Sequence, residues 1–394
     1  MRRISGYPVK GKKILLRVDC NCAIENGRIV PGERIEAHSK TIKELAARGA
    51  RIIVLAHQGR KGGEDFMTLK QHAGVLSETT GISLTYVDNL VEEKAKKAIE
   101  SLKDGEVLLL ENVRMLDCET MEEGSIVKEL SPLADYFVLD ALSVAHRAHS
   151  SVVGFARKLP SFYGDVLADE VKALESLRHV EGVTFVLGGS KGNDSFGIMK
   201  NWLREGKAKK VLIGGALSIL FLKAKGFQVG ESNEYLEETG LNEHFEDAKK
   251  MLAEFGNSIE LPEDVGLNIE DRRVECDSGK IANGKIFDIG RKTAERYARI
   301  ISESEAVVMN GPVGVYEMEE FAYGTRRVLE AIMHSKAFSL IGGGHTISAL
   351  AKFGMDKKKF GYVSLSGKAL IKYLSGKELP GIKALEENEK KFRI

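Results

Sequence analysis

Short apolar runs alternate with stretches of helical periodicity along this chain, and they fall into two series. The first series has runs at 14–18, 51–56, 107–110 and 136–139, with amphipathic stretches such as 39–48, 69–79 and 92–102 between them. The second has runs at 183–187, 211–213, 306–309 and 338–341, with helical stretches at 219–225, 243–254, 293–302 and 325–335. Such alternation is the pattern of parallel sheets covered by helices on both faces. Each series has the size of one domain. The chain is therefore expected to be α/β, with two doubly wound parallel-sheet (Rossmann-like) domains at 1–160 and 181–377. Helical spacing over 164–179 predicts an interdomain helix, assigned to 161–180, that joins them at a hinge. In the tail, KELPGIKAL at 377–385, Pro380 and Gly381 are expected to break the helix.

A length of 394 residues exceeds what one hydrophobic core usually supports. Formal net charge is +1, so the basic excess that broad binding to nucleic acid or acidic membranes needs is absent, and any positive site must be local. The longest apolar segment, 211–222, contains two glycines and falls short of the ~20 residues of a membrane span. The N-terminal MRRISGYPVKGKK has no apolar h-region. These features predict a cytoplasmic protein. Cys20 and Cys22 are expected on one face of a strand without zinc-type spacing. With Cys118 and Cys276 they are read as core cysteines of a reducing compartment.

Polar and basic residues come directly after each run of the first series. Arg17, Asp19 and Asn21 stand at the end of the first run; His57, Gly59 and Arg60 at the end of the second. Glu111, Asn112 and Arg114 come after the third; Asp140, His146, Arg147 and His149 come after the fourth, the last three within AHRAHSS at 145–151. Arg34 opens the helix between the first two runs. A parallel sheet gathers these strand ends at one edge, where ligands of open α/β sheets bind. Arginine's planar fork grips two oxygens of a carboxylate or phosphate at once. The expected ligand is small, carries at least two negative charges, and takes a hydroxyl contact from Asp19 or Asn21. A sugar-acid phosphate fits.

The second series ends its runs in glycine: GGSKGND at 188–194, GGA at 214–216, NGPVGVYE at 310–317 and GGGHT at 342–346. Glycine at a strand-to-helix turn admits a phosphate to the backbone, and the helix N-terminus adds N–H donors. Four such turns predict a nucleotide site, with Lys191 as its cation and Glu317 accepting from ribose hydroxyls. Neither a P-loop nor an early G-x-G-x-x-G is present.

Taken as a set, RVDCN (17–21), HQGR (57–60), LLLENVR (108–114) and AHRAHSS resemble the phosphoglycerate kinase family. So do GGSK (188–191), NGPVGVYE, GGGHT and ELPGIKAL (378–385), and the likeness runs in order through the whole chain. The resemblance implies that 3-phosphoglycerate is bound by Asp19, Asn21, Arg34, His57, Arg60, Arg114 and Arg147 in the N-terminal domain. It implies ADP or ATP, with Mg2+, against Gly188, Gly189, Lys191, Gly214, Asn310, Pro312, Glu317, Gly343, Gly344, His345 and Thr346 in the C-terminal one. Catalytic roles fall to Arg34, Lys191, Gly344 and Gly367, and the metal's protein ligands stay unassigned. The implied reaction is reversible phosphoryl transfer between 1,3-bisphosphoglycerate and ADP, in glycolysis and gluconeogenesis, by a monomer whose tail 378–394 returns to the N-terminal domain. Positioning and charge neutralisation would carry the catalysis.

The chain departs from the family's commonest wording at several places. His345 stands where an aspartate is usual, and Ser195 where a second lysine is usual, as in archaeal members. The last turn reads SLSGKAL at 364–370, where Gly367 alone remains of a glycine triplet, with Lys368 after it. That turn leaves two other readings open: a paralogue that phosphorylates another small carboxylate, or a non-catalytic sensor of 3-phosphoglycerate or nucleotide.

Overall fold

The computed structural model describes residues 1–189 and 192–393, with backbone only at 192 and 193. The α/β fold with two parallel sheets is present. The chain divides into two compact units, Met1–Lys172 with Glu378–Ile394, and Ala173–Lys377.

The first unit contains β1 (Lys13–Arg17), a hairpin of β2 (Ala23–Glu25) and β3 (Arg28–Val30), β4 (Arg51–Leu55), β5 (Leu84–Val87), β6 (Val107–Leu110), β7 (Tyr136–Leu139) and β8 (Ser161–Tyr163). Its main sheet is parallel throughout, in the order β5-β6-β4-β1-β7-β8. Strands such as Val107–Leu110 are apolar at every position because both faces are buried. One face packs Ile14, Leu16, Ile52, Val54 and Val138 against Ile35, Ile42 and Leu45 of helix Glu33–Ala47. The order reverses at β1, which has β4 on one side and β7 on the other, so a crevice opens between the β1 and β7 ends.

The second unit holds β9 (Val183–Leu187), β10 (Ala208–Ile213), β11 (Ile259–Glu260), β12 (Asp264–Ile269), β13 (Arg272–Asp277), β14 (Lys285–Ile289), β15 (Ala306–Asn310), β16 (Phe338–Gly342) and β17 (Tyr362–Val363). Its parallel sheet runs β11-β10-β9-β15-β16-β17, with the switch point between β9 and β15. An additional antiparallel sheet, β13-β12-β14, lies in the segment after β11.

Several expectations need correction. Residues 161–163 form β8 instead of opening a helix: Ser161–Tyr163 pairs with β7, and the helix begins at Asp165 and ends at Arg178. Pro380 does not break a helix; it starts one, Pro380–Lys391, at the first position where its missing N–H costs nothing. Gly381 lets that helix lie against the first unit, since a Cβ there would come within 2.9 Å of Ala145 Cα. Asn388 is buried and accepts from Ser161 N at 2.9 Å while donating to Leu159 O at 2.7 Å. Cys20 and Cys22 are not on a strand: β1 stops pairing at Arg17, and the N–H of Cys22 turns to Gln58 Oε1 at 2.9 Å. Cys20 is buried, whereas Cys22, Cys118 and Cys276 are partly exposed, so the core reading holds for one of the four.

Candidate functional site

At the β1 end, Asp19 sits buried two residues past the strand, and Arg34 approaches from the first turn of helix Glu33–Ala47. Arg34 Nη1 is 3.2 Å from Asp19 Oδ2. The Ser143 hydroxyl donates to the same oxygen, and the Asn21 N–H donates to Oδ1 at 3.0 Å. Burial pushes the Asp19 carboxyl up, but the His57 imidazole, the Arg34 guanidinium and these donors outweigh it and hold the carboxyl below the usual range. Asn21 Oδ1 accepts the Gly59 N–H at 2.8 Å, so this side chain also anchors the HQGR loop.

His57 is buried beside Arg17, whose Nη2 lies 3.2 Å from His57 Nδ1. Burial, then Arg17, pushes the imidazole down to about 3, so the ring is neutral at physiological pH. Arg17 is itself buried. Its Nε donates to Ser151 Oγ at 2.9 Å and its Nη1 to Val18 O, so it braces the site from beneath. Ser151 in turn donates to buried Glu119, at 2.6 Å, and His149 Nδ1 is 3.7 Å from that carboxylate.

Arg60, Arg114 and Arg147 line one cavity of about 390 Å³ together with Lys61, His149 and two carboxylates, Asp117, which pairs with Lys61, and Glu119. Arg114 donates to Gly59 O, which orients it along the HQGR loop. Burial lowers the pKa of Arg147, and repulsion from Arg60 lowers it further, while Asp19 opposes. Like charges held together in a partly buried cavity make a site that an anion relieves. Arg147 senses both Arg60 and Asp19, so the arginine cavity and the Asp19–Arg34–His57 cluster are electrostatically one neighbourhood.

In the second unit the switch point is built from backbone. Gly188 and Gly311 touch: a Cβ on Gly188 would lie 2.0 Å from Pro312 O, and Gly311 holds φ at +92° with a Cβ position 2.6 Å from Gly188 O. Asn310 ends β15, and Gly343 caps helix Gly344–Lys352. The Thr346 hydroxyl accepts the Gly311 N–H at 3.0 Å, so this residue ties the two turns together. A cavity of about 400 Å³ opens beside them, with Ile219, Phe287, Val313 and Val315 as its apolar wall and Gly189, Pro312, Glu317 and His345 also lining it. Gly214 follows the neighbouring strand β10, and its N–H donates to Leu187 O at 2.9 Å. His345 is 79% exposed, 3.6 Å from Glu317 Oε1. Gly367, with φ +48°, caps the short helix Lys368–Leu374 beyond β17 and does not line the cavity. Lys191 lies outside the described residues.

Sequence reading passed over several residues that support these groups. Ser143 holds Asp19, Glu119 holds His149 and the Ser151 hydroxyl, and Lys352 donates to the carbonyls of Tyr316 (3.0 Å) and Glu317 (2.7 Å) to fix the 310–317 loop. Buried Asp288 also lines the nucleotide-sized cavity; burial pushes its carboxyl up to about 7 against the pull of Arg273. None of these carries a motif of its own.

The chain is similar along nearly its whole length to proteins of one family. The family model described as phosphoglycerate kinase matches residues 4–377. The phosphoglycerate kinase of Methanothermus fervidus is 38% identical over 397 residues, covering 98% of this chain and 97% of that protein. The one from Methanopyrus kandleri is 41% identical over 390 residues, covering 96% of each. The crystal structure of phosphoglycerate kinase from Pyrococcus horikoshii OT3 superimposes with a TM-score of 0.91 at 36% identity, covering 100% of both chains.

Proposed function

We infer the roles of these residues from one premise: the chain belongs to the phosphoglycerate kinase family, kinases that move a phosphoryl group between ADP or ATP and 3-phosphoglycerate. The reaction is reversible transfer between 1,3-bisphosphoglycerate with ADP and 3-phosphoglycerate with ATP. The assignment of roles rests on two groups linked through Arg147: Arg34 and Arg147 act on Asp19 and His57, and Arg60 and Arg114 share a cavity with Arg147.

In this reading the phosphate of 3-phosphoglycerate takes the bidentate forks of Arg60, Arg114 and Arg147. Neutral His57 donates from Nε2, and Asp19 accepts from the ligand's hydroxyl, with Asn21 beside it. Arg34, held by Asp19 before the substrate arrives, neutralises the acceptor carboxylate as its oxygen attacks the γ-phosphorus and the bond to the departing ADP oxygen breaks. The base occupies the apolar cavity of the second unit and Glu317 accepts from the ribose. The phosphates run over Gly188, Gly189 and Gly214 toward the N–H groups at Gly344 to Thr346, with Lys191 as counter-charge. Asn310, Pro312, Gly343 and His345 shape that path, and Gly367 contributes backbone donors to the moving group.

Magnesium enters with the nucleotide. Among the described residues no group of three or more His, Cys, Asp or Glu could hold a metal ion. That suits an ion held mainly by phosphates and water, which asks one or two oxygens of the protein. On the same reading the chain works as a monomer in the cytoplasm, in glycolysis or gluconeogenesis; no described helix is long and apolar enough to cross a membrane.

A coupled assay with 3-phosphoglycerate, ATP and magnesium, following 1,3-bisphosphoglycerate through its reduction, tests these roles. Turnover of about 1–100 s⁻¹ is expected. Calorimetric binding of both ligands without turnover would point instead to a sensor, and turnover only on another carboxylate to a paralogue. The comparisons favour neither.

A further inference from the structure

His38 and Asp140 meet in the interior of the first unit, with His38 Nδ1 2.8 Å from Asp140 Oδ2 and both side chains closed to solvent. His38 lies four residues beyond Arg34 in helix Glu33–Ala47, one turn along the same face. Asp140 is the residue after β7. Its other oxygen accepts the N–H of Val166 at 3.0 Å, in the first turn of helix Asp165–Arg178. Gly164 makes room for it, because a Cβ there would sit 2.0 Å from Oδ1. Three residues on, Ser143 holds the Asp19 oxygen that Arg34 also contacts. The segment 140–143 therefore grips Arg34 twice, at its guanidinium through Asp19 and at its helix through His38.

We propose that the His38–Asp140 pair positions Arg34, setting the roll and pitch of its helix so that the guanidinium meets the acceptor carboxylate. The inference rests on the reading of Arg34 as the acceptor-side catalytic group and adds what holds it in register. A well-packed apolar pair would fill the same space without desolvating a carboxylate and an imidazole. What apolar packing does not supply is direction. A hydrogen bond from a ring nitrogen to a carboxylate fixes the angle at which the helix meets the β7 end, and a misplacement of ~1 Å at a reacting group costs about a hundredfold in rate.

The test compares His38→Leu, which keeps bulk without a donor, with His38→Asn, whose amide N–H stands close to the Nδ1 position. In the coupled assay His38→Leu should lower kcat by about tenfold to a hundredfold, with the KM for ATP unchanged and the Tm within a few degrees of the parent. His38→Asn should restore most of kcat. In an Arg34→Ala background, His38→Leu should have no further effect on kcat, since the two act through one group. If His38→Leu does not fold, Asp140→Asn replaces it and should show the same split between kcat and the KM for ATP. Wild-type kcat in His38→Leu, equal loss in the Leu and Asn variants, or additive losses with Arg34→Ala would each overturn the proposal. Full activity in Arg34→Ala alone would overturn the underlying role of Arg34, an outcome distinct from failure of the pair.

Discussion

Arg17 donates from Nη2 to Nδ1 of His57 across 3.2 Å, beneath the anion cluster. Arginine has no acceptor, so Nδ1 must accept and the ring proton resides on Nε2. A buried cation thereby selects the tautomer of a neutral histidine, and makes it a donor without charging it.

His57 should make the fold acid-sensitive. Its folded value of about 3 lies below the ordinary 6.5, so the unfolded chain takes up the proton first as pH falls. The stabilisation is complete above about pH 6.5 and is lost progressively as pH falls toward 3. His72, pushed down to about 4 by burial, adds a contribution of the same sign. Asp288, raised to about 7, stabilises the fold as pH falls through the same range and opposes both histidines, so the test is a difference. From pH 7 to 4 the Tm of His57→Gln should fall less than that of the parent, with the part due to His72 retained. A pH slope unchanged in His57→Gln would refute the assignment of that slope to His57.

Arg34→Ala should cut turnover by about 10²–10³-fold, the usual cost of removing one donor to developing charge. The fold should tolerate it, because Asp19 keeps Ser143 and the Asn21 N–H as partners. Steady-state kinetics beside a thermal melt separates the two effects.

Gly311→Ala should damage the nucleotide half alone. The residue holds φ at +92°, and the new methyl would press on the Gly188 carbonyl. Strain of about 1–3 kcal/mol is expected, read as a lower Tm, with ATP affinity weakened and 3-phosphoglycerate affinity unchanged by calorimetry.

Lys368→Ala tests the altered last turn. Lys368 is exposed and opens the helix that Gly367 caps. If its charge stands in for lost backbone donors, kcat should fall by about tenfold or more with nucleotide affinity and Tm unchanged. An unaltered kcat would show that the turn works without it.

Much of the fold was legible because buried parallel strands are apolar at every position: runs such as 107–110 and 306–309 match β6 and β15 within a residue. The antiparallel β12–β13 hairpin was not. Its turn puts Glu270 and Asp271 at φ 49° and 58°, a conformation that Asn-Gly would have signalled, and β13 reads RRVECD, with no apolar run. The short edge strands β5, β8 and β17 were missed because few residues carry each pattern. At the site, strand-end arginines were readable since a parallel sheet collects its carboxyl ends. The Ser143–Asp19 and His38–Asp140 contacts were not, because they join residues more than a hundred positions apart by burial and hydrogen-bond geometry alone.

The tail helix that begins at Pro380 belongs to the first unit, and Arg2 donates to the carbonyls of Glu389 and Phe392 to fasten it there. Translation runs in one direction, so the ribosome makes nearly all of this unit before the second unit and its remaining piece after it. At ~5–20 residues per second the whole second unit takes roughly ten to forty seconds to emerge. Throughout that interval the surface around Leu139, Ala145 and Val152 lacks the helix that covers it. The nascent chain is thus most open to premature association just when its first sheet is otherwise complete, and it gains that layer of protection only once the helix after Pro380 has emerged.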